Sequence, residues 1–153
     1  MFLTKKVRVI KLREDAQLPT QGSEEAAGFD VYYSPAVPEE NTVAIEPNRT
    51  QILGTGIVMN IPKGYHVEVR SRSGLAAKHD VHVLNSPGTI DSDYTGEVKV
   101  IMHNSSSIAS MQVNKGDRIA QVLLRKNVKT KYVMFDKSKE TKRSSGGFGS
   151  TGK

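Results

Sequence analysis

Short runs in which apolar and polar residues alternate, separated by turn residues, make up most of the chain. The clearest runs are Thr42–Ile45, Gln51–Ile61, Tyr65–Val69, Glu97–His103 and Ile119–Leu124. Alternation of this kind is typical of β-strands with one buried face, and the proline, glycine and asparagine residues between the runs are typical of turns. About ten such runs predict an all-β fold, a jelly-roll-like barrel or sandwich, rather than a parallel α/β sheet.

Two segments depart from the strand-like pattern. Ser73–His79 is the one stretch with the composition of a helix, and it would be short. The last 17 residues contain one large apolar residue, Phe148, among lysine, serine and glycine, so they cannot bury enough surface to fold alone. We therefore expect one β domain over residues 1–136 and a mobile arm over residues 137–153 that closes when a ligand binds.

Length and composition are those of one soluble domain. The chain has 153 residues, of which 37% are hydrophobic and 25% charged, and it has no cysteine. The lack of cysteine excludes disulfides, a thiolate metal site and a cysteine nucleophile. No apolar run approaches the roughly 20 residues that span a bilayer, and the N-terminus lacks a signal-peptide pattern. We expect a cytoplasmic protein without a membrane partner, located in the host cytoplasm if the chain is viral.

The net charge of +6 indicates an anionic partner. From Arg125 to the end there are nine basic residues against two acidic ones, whereas the rest of the chain is nearly balanced. Because no basic helix and no basic patch interleaved with aromatic residues is present, we expect no nucleic-acid partner. A small polyphosphate would satisfy the same charge bias.

The arm sequence RSSGGFGSTGK has groups that suit a nucleotide. Its glycines, among them Gly149, allow the backbone to approach a ligand, and Arg143 is a planar donor for phosphate oxygens. Ser150 and Thr151 add hydroxyl groups, and Phe148 offers a face on which a base could stack. The alternative is a flexible tail with an accidental aromatic residue, and the segment alone does not choose between the two.

Two internal segments carry further candidate groups. GTIDSDYTGEV is predicted to form a hairpin. Its two acids, Asp91 and Asp93, are either ordinary turn residues, or one of them is a general base or a metal-associated carboxylate, and Tyr94 could pack on a sugar. In RSRSGLAAKHD, Arg72 with Ser73 and Gly74 could bind phosphate at a helix N-terminus, or Ser73 could be a plain N-cap. Asp30 and Gln121, each taken alone, are more often structural polar residues than site residues. The four histidines lack the spacing of a zinc site.

Taken in order, five segments resemble the signature motifs of homotrimeric dUTPases over residues 26–152. They are AAGFDV, RSRSGLA, GTIDSDYTGEV, GDRIAQV and RSSGGFGSTG. The resemblance implies a jelly-roll-like subunit, a homotrimer whose three active sites each use parts of all three chains, and Mg²⁺ as cofactor. It implies hydrolysis of dUTP to dUMP and pyrophosphate, which lowers dUTP and supplies dUMP for thymidylate synthesis.

The resemblance also implies a role for each matching residue. Asp91 matches the general base that activates water for in-line attack on the α-phosphorus, and Tyr94 matches the residue under the deoxyribose. Asp30 matches an acid that holds Mg²⁺ through its bound water. The implied uracil pocket is formed by Asn85, Gly88, Thr89, Ile90 and the backbone as far as Lys99. The implied phosphate contacts are Arg72, Ser73, Gly74 and Gln121, and the implied closing arm uses Arg143, Phe148, Gly149, Ser150 and Thr151.

Departures from the family pattern are few. Ser144 and Ser145 stand where the arm often has glycine and a variable residue, and Ser71 stands where proline or glycine is common. None of the three has an assigned role, so we expect an active enzyme. The alternatives are a dCTP deaminase-like enzyme, which would lack the arm, and a non-catalytic nucleotide sensor or protein-binding module on the same fold.

Overall fold

The computed structural model of the chain describes residues 4–37, 39–136, 141 and 144–147. Over these residues the chain forms twelve β-strands and one short helix. The strands are β1 (Arg8–Lys11), β2 (Thr20–Gln21), β3 (Phe29–Tyr32), β4 (Thr42–Ile45), β5 (Thr50–Gly54), β6 (Ile57–Asn60), β7 (Tyr65–Arg70), β8 (Val81–Val83), β9 (Gly88–Ile90), β10 (Lys99–Asn104), β11 (Met111–Asn114) and β12 (Arg118–Lys126), and the helix is α1 (Ser73–His79).

The strands pair antiparallel in one large sheet and three smaller ones. The large sheet has the order β2-β3-β12-β7-β9, and a three-stranded sheet has the order β5-β10-β8. Two further pairs, β1-β6 and β11-β4, complete the pairing. Apart from β2 and β3, neighbours in these sheets are not consecutive in sequence, as in a jelly roll, and the predicted all-β, jelly-roll-like class is confirmed.

The core follows from the alternation along the strands. In β7, Val67 and Val69 are buried while the residues between them point to the other face of the sheet. In β10, Val100 and Met102 are each 1% exposed. Each fully buried aliphatic side chain stabilises the fold by about 1.5–3 kcal/mol relative to an exposed one. Among the described residues, the buried cluster extends from Ala16 to Val122 along the chain.

Two local predictions differ from the structure. The run Gln51–Ile61 is not one strand, because the chain turns at Thr55 and Gly56 and continues as β6. Gly56 has a φ of +69°, a conformation that favours glycine. The helix has the predicted bounds, but its N-cap is Arg72 without a side-chain hydrogen bond, so the alternative that Ser73 is the N-cap is wrong.

The segment GTIDSDYTGEV is not a hairpin. Its first strand, β9, pairs with β7 in the large sheet, whereas β10, which follows the segment, pairs with β5 and β8. The segment therefore crosses from one sheet to another through a turn at Asp91–Tyr94. Turn residues predict where the chain reverses, but the partner of each flanking strand is chosen by packing between distant segments.

The chain after β12 runs along the surface with apolar side chains exposed. Tyr132 and Met134 are 95% and 97% exposed, and Val133 and Phe135 are 72% and 78% exposed. A contiguous apolar segment of this kind normally marks an interaction surface. Among the described residues, no helix has the length and apolar character needed to cross a membrane.

Candidate active site

The turn after β9 borders a groove of about 290 Å³, which we call the Asp91 groove. Its walls come from the crossing segment and from the neighbouring strands β5 and β10. The lining residues are Ile52, Thr89, Ile90, Asp91, Tyr94, Glu97, Val98, Lys99 and Ile101. The aliphatic side chains and the adjacent backbone form a small, partly apolar concavity, with a size at the lower end of ligand pockets, which begin at about 300 Å³.

Asp91 lies between this groove and a second, larger depression. It is exposed, and its carbonyl oxygen accepts a hydrogen bond from the Tyr94 amide at 3.2 Å, which closes the turn. The larger depression has a volume of about 660 Å³. It is lined by Asn60, Ile61, Lys63, Asp91, Ser92, Asp93 and Asn127. The Asp91 carboxylate is thus open to a ligand that occupies the groove and extends out of it.

The position of Tyr94 is fixed at two points. Its hydroxyl donates a hydrogen bond to the carbonyl oxygen of Glu97 at 3.0 Å. Its ring lies against Gly96, where an added Cβ would be only 2.5 Å from the hydroxyl oxygen, so a side chain at this position would displace the ring. The ring is still 48% exposed at the groove and offers an apolar face to a ligand.

Asn85 contacts the backbone at the beginning of β9. A Cβ added to Gly88 would lie 3.1 Å from Asn85 Nδ2 and 3.4 Å from Val69 Cβ, which shows how closely the strand passes between these residues. Gly88 and Ile90 are buried, whereas Thr89 faces outward from the large sheet. Asn85 therefore lies behind the backbone that leads into the Asp91 groove.

Asp30, Arg72 and Gln121 come together elsewhere on the large sheet, in what we call the Asp30 cluster, with Arg118 as its fourth member. Arg72 Nε donates to Asp30 Oδ1 at 3.0 Å, and Arg118 Nη1 donates to Asp30 Oδ2 at 3.2 Å. The Asp30 side chain is only 15% exposed. Two arginines therefore hold one nearly buried carboxylate, and the cluster has a net positive charge.

Gln121 is placed by its strand and by the loop after β7. It lies opposite Asp30 in the β3–β12 pair and opposite Arg70 in the β12–β7 pair. Its Nε2 donates to the Ser71 carbonyl oxygen at 2.9 Å. A Cβ on Gly28 would be 2.4 Å from Gln121 Oε1, so the glycine leaves room for the amide. The predicted residues of three separate motifs thus meet in one cluster.

Ser73 and Gly74 form the exposed first turn of α1, next to this cluster. No acidic residue lies in that turn, and nothing would lie within 4 Å of a Cβ on Gly74. The backbone here is therefore accessible from solvent. Because Arg72 comes directly before the helix, its contact with Asp30 ties the beginning of the helix to the large sheet.

Asp91 and Arg72 are well separated within one chain. In the β7–β9 pair Ile90 lies opposite Val67, so Asp91 is level with the beginning of β7. Arg72 comes after the other end of β7, five residues beyond Val67. At about 3.3 Å per residue the two lie roughly 17–20 Å apart. A single chain therefore does not bring the Asp91 groove and the Asp30 cluster into one site.

The remaining predicted residues cannot be placed. Arg143, Phe148, Gly149, Ser150 and Thr151 lie outside the described residues. Their assignment to a closing arm, and the boundary of that arm at residue 137, stay predictions.

The donor groups of the Asp30 cluster bear on how a metal could be held. Both Asp30 oxygens already accept hydrogen bonds from arginines. This arrangement fits a contact through metal-bound water better than direct ligation, since a direct ligand would have to give up one of these bonds. Within the part of the chain that the structure describes, no group of three histidine, cysteine, aspartate or glutamate residues could hold a metal ion.

The large sheet carries a second ionic group on its outer face, next to Thr89. Glu68 accepts hydrogen bonds from Arg70 at 2.5 Å and from Arg125 at 3.3 Å, and it lies opposite Thr89 in the β7–β9 pair. Burial raises the pKa of the Glu68 carboxyl, but the hydrogen bonds from Arg70 and Arg125 outweigh it and the net pKa is lowered. Glu68 is thus an ionised residue whose charge contributes to stability.

Sequence reasoning missed three residues at these two places. Arg118 holds Asp30, and Glu97, which lines the Asp91 groove, forms an ion pair with Arg13 at an Nη2–Oε1 distance of 2.5 Å. Arg118 and Glu97 lie inside two of the segments singled out above, so their charge was an available signal. The sequence carries no signal for Arg13, because its partner Glu97 is 84 residues away.

Comparison with known proteins gives a consistent family. The family model described as dUTPase matches residues 14–152. Among curated relatives, a deoxyuridine 5'-triphosphate nucleotidohydrolase of Nautilia profundicola is 43% identical over 148 residues, covering 97% of this chain and 99% of the relative. The protein of the same name from Helicobacter pylori strain P12 is 44% identical over 147 residues, covering 96% of this chain and 97% of that one.

Solved structures give the same fold. A mutant dUTPase of Staphylococcus bacteriophage 80alpha with dUpNHpp has a TM-score of 0.84 at 23% identity, covering 97% of this chain and 99% of that one. A mutant dUTPase of phage phi11 of S. aureus, described with a structural Mg(II) ion, has a TM-score of 0.76 at 21% identity, covering 89% of this chain and 100% of that one.

Proposed function

The chain belongs to the dUTPase family, and we propose that it hydrolyses dUTP to dUMP and pyrophosphate through a water activated by Asp91. The observation that carries the proposal is the Asp91 groove. There an exposed carboxylate and an exposed tyrosine ring flank a concavity small enough for one nucleoside. The reaction would lower dUTP and supply dUMP for thymidylate synthesis.

The groove would read the base through its backbone. The amide and carbonyl groups from Gly88 to Lys99 can imitate a pairing partner for uracil, whereas the amino group of cytosine would meet a donor and the methyl group of thymine would meet the wall. Each polar group left unpaired in such a pocket costs about 1–3 kcal/mol. The Tyr94 ring would lie under the deoxyribose, where a 2′-hydroxyl would clash.

Asp91 would act on the nucleophile. Its carboxylate accepts a proton from a water molecule as the water oxygen bonds to the α-phosphorus. The bond between the α-phosphorus and the oxygen bridging to the β-phosphorus breaks, and the electron pair leaves with pyrophosphate. The exposure of Asp91 between two depressions supports this role, because the carboxylate can contact a water beside a bound α-phosphate.

The triphosphate would be held by the Asp30 cluster. Arg72 with the first turn of α1 at Ser73 and Gly74 supplies charge and backbone donors, and Gln121 supplies an amide to the α-phosphate. Asp30 would hold Mg²⁺ through its bound water, which fits a carboxylate whose oxygens are already bonded to arginines. When bound, Mg²⁺ would polarise the α-phosphate and neutralise the leaving pyrophosphate.

Two observations support a homotrimer with shared sites. The Asp91 groove and the Asp30 cluster lie on different parts of one chain, so a nucleotide that contacts both needs a second copy to supply one of them. The exposed apolar residues Tyr132, Val133, Met134 and Phe135 also need a cover, which a neighbouring copy would supply. The arm would then close a site, with Phe148 on the base and Arg143, Gly149, Ser150 and Thr151 around the γ-phosphate.

Substrate profiling tests this function most directly. Pyrophosphate release is measured with dUTP, dCTP, dTTP and UTP, each with and without Mg²⁺. We expect rapid release from dUTP with Mg²⁺ and little from the other three nucleotides. Uridine nucleotide formed from dCTP would indicate the deaminase-like alternative, and assembled protein that binds dUTP without cleaving it would indicate the nucleotide sensor.

A further inference from the structure

Glu97, which lines the Asp91 groove, belongs to an ion pair that joins four separate segments of the chain. Glu97 Oε1 accepts a hydrogen bond from Arg13 Nη2 at 2.5 Å and another from the Gly56 amide at 2.8 Å. Arg13 also donates from Nε to Ser34 Oγ at 3.1 Å and from Nη2 to the Ser34 carbonyl oxygen at 2.7 Å. The side chains of Arg13 and Glu97 are only 19% and 13% exposed.

The turn between β5 and β6 is shaped around this pair. A Cβ on Gly54 would lie 2.7 Å from Glu97 Oε1, and a Cβ on Gly56 would lie 2.8 Å from Ser34 Oγ and 3.1 Å from Arg13 Nη2. A side chain at either position would therefore have to displace the groups that form or hold this ion pair. The residue between them, Thr55, donates from its hydroxyl and its amide to the Val98 carbonyl oxygen, at 2.6 and 3.2 Å. The turn thus clamps the two residues at the end of the crossing segment.

Glu97 connects this clamp to the groove. Its carboxylate is bonded to Arg13 and Gly56, while its backbone carbonyl oxygen accepts the hydrogen bond from Tyr94. A rotation of the Glu97 peptide would therefore move the acceptor that holds the tyrosine hydroxyl. The ring also lies against Gly96, so the hydrogen bond to Glu97 is what holds its hydroxyl end in place.

We propose that the Arg13–Glu97 pair positions the Tyr94 ring relative to a sugar bound in the Asp91 groove and thereby sets the preference for deoxyribose over ribose. This inference rests on the proposed function. Neither residue touches the reacting atoms in this scheme. The pair acts through the Glu97 backbone, and a sugar hydroxyl is excluded only when the ring is held close to the position of C2′. A shift of a few tenths of an ångström would make room for the 2′-hydroxyl.

The test compares Arg13→Met, Glu97→Gln and the double variant with the wild-type trimer, measuring kcat and KM for dUTP and for UTP. We expect the ratio of kcat/KM for dUTP to that for UTP to fall about tenfold in each single variant, mainly through KM for dUTP and improved use of UTP. The turnover number with dUTP should stay within about threefold, because Asp91 is untouched. The double variant should lose no more than a single variant, since both act through one interaction.

Matched controls separate positioning from simple loss of stability. Lys115→Met removes the ion pair between Lys115 and Asp15. Asp15 lies in the same N-terminal loop as Arg13 but does not line the groove, so this variant should leave the dUTP-to-UTP ratio of kcat/KM unchanged. Arg13→Lys is a gentler variant that should still lower the ratio, because one ammonium group cannot reproduce the Nε and Nη2 bonds together. If the Arg13 and Glu97 variants have a lower melting temperature but keep the wild-type ratio of kcat/KM for dUTP to that for UTP, the proposal is overturned.

A crystal structure of the Glu97→Gln variant gives a readout that does not depend on activity. We expect the hydrogen bond from Tyr94 Oη to the carbonyl oxygen of residue 97, which is 3.0 Å long in the wild-type chain, to be lengthened or broken, with the ring shifted by a few tenths of an ångström or disordered. If the Tyr94 ring keeps its wild-type position, the inference is contradicted even if the kinetic constants change. If the wild-type protein does not hydrolyse dUTP at all, the proposed function fails, while the structure of the variant still decides whether the pair positions Tyr94.

Discussion

The Tyr94 hydroxyl donates a hydrogen bond to the carbonyl oxygen of Glu97, three residues further along the same segment. The bond holds the aromatic ring over Gly96 at the border of the Asp91 groove, with 48% of the residue still exposed. An exposed aromatic face held in a fixed position is suited to packing under a sugar. The relationship therefore leads to a prediction about sugar specificity.

Replacing Tyr94 by alanine should reduce the preference for dUTP over UTP by at least about tenfold, because the ring that would clash with a 2′-hydroxyl is gone. Tyr94→Phe keeps the ring and removes one hydrogen bond with a net worth of about 0.5–1.5 kcal/mol, so its preference should change by no more than about tenfold and less than in Tyr94→Ala. Both are measured as ratios of kcat/KM. Equal losses in the two variants would mean that the hydroxyl, and not the ring, sets the specificity.

Asp91→Asn should bind dUTP but lose turnover by about a thousandfold, because asparagine cannot accept the proton from the attacking water. Calorimetric binding and pyrophosphate release measure the two properties separately. The matched control is Asp93→Asn, two residues away in the same exposed turn, which should keep most of the activity. If turnover in Asp91→Asn survives within tenfold, the general base is another group.

The separation of Asp91 from Arg72 predicts recovery of activity in mixed trimers. Asp91→Asn and Arg72→Ala subunits should each be inactive alone, yet a refolded 1:1 mixture should regain up to about a quarter of wild-type activity, since that share of sites would combine two intact halves in random assembly. Each variant refolded alone is the control. No recovery in properly assembled mixtures would show that both residues of a site come from the same chain.

Deletion of residues 143–153 should leave a folded trimer with little activity, because all described residues of the buried cluster precede position 143. Phe148→Ala should lose less, since stacking of a base on an aromatic ring contributes only about 1–3 kcal/mol. Light scattering, melting temperature and pyrophosphate release report assembly, stability and turnover. A monomeric or unfolded deletion product would show that the arm supports the fold.

Glu68 predicts an acid-sensitive contribution to stability. Because its pKa is lowered in the folded state by Arg70 and Arg125, its ionised form stabilises the fold above the unfolded value of 4.5, and this contribution is lost as pH falls through the lower folded value. Glu68→Gln should therefore lower the melting temperature at neutral pH, and the gap to wild type should narrow below pH 4.5. Glu46→Gln, at an exposed glutamate outside the ion pairs found in the described residues, should show no such gap.

Much of this protein follows from the order of its residues. Alternation along Tyr65–Val69 and Ile119–Leu124 predicts strands that the structure has, and Ser73–His79 is helical with the predicted bounds. The family could be recognised because its motifs are short, local sequences whose chemistry does not depend on knowing the fold. Periodicity and turn chemistry act over a few residues, so they can be read along the chain.

Tertiary structure alone decided which segments meet. It pairs β9 with β7 and β10 with β5 instead of closing a hairpin around Asp91, it joins Asp30 to Arg72 and Arg118, and it places Arg13 against Glu97. These partners lie 42 to 88 residues apart in the chain. The entropy of closing a loop grows only slowly with its length, so sequence distance favours no partner strongly, and the choice is made by burial, register and charge once the sheets pack.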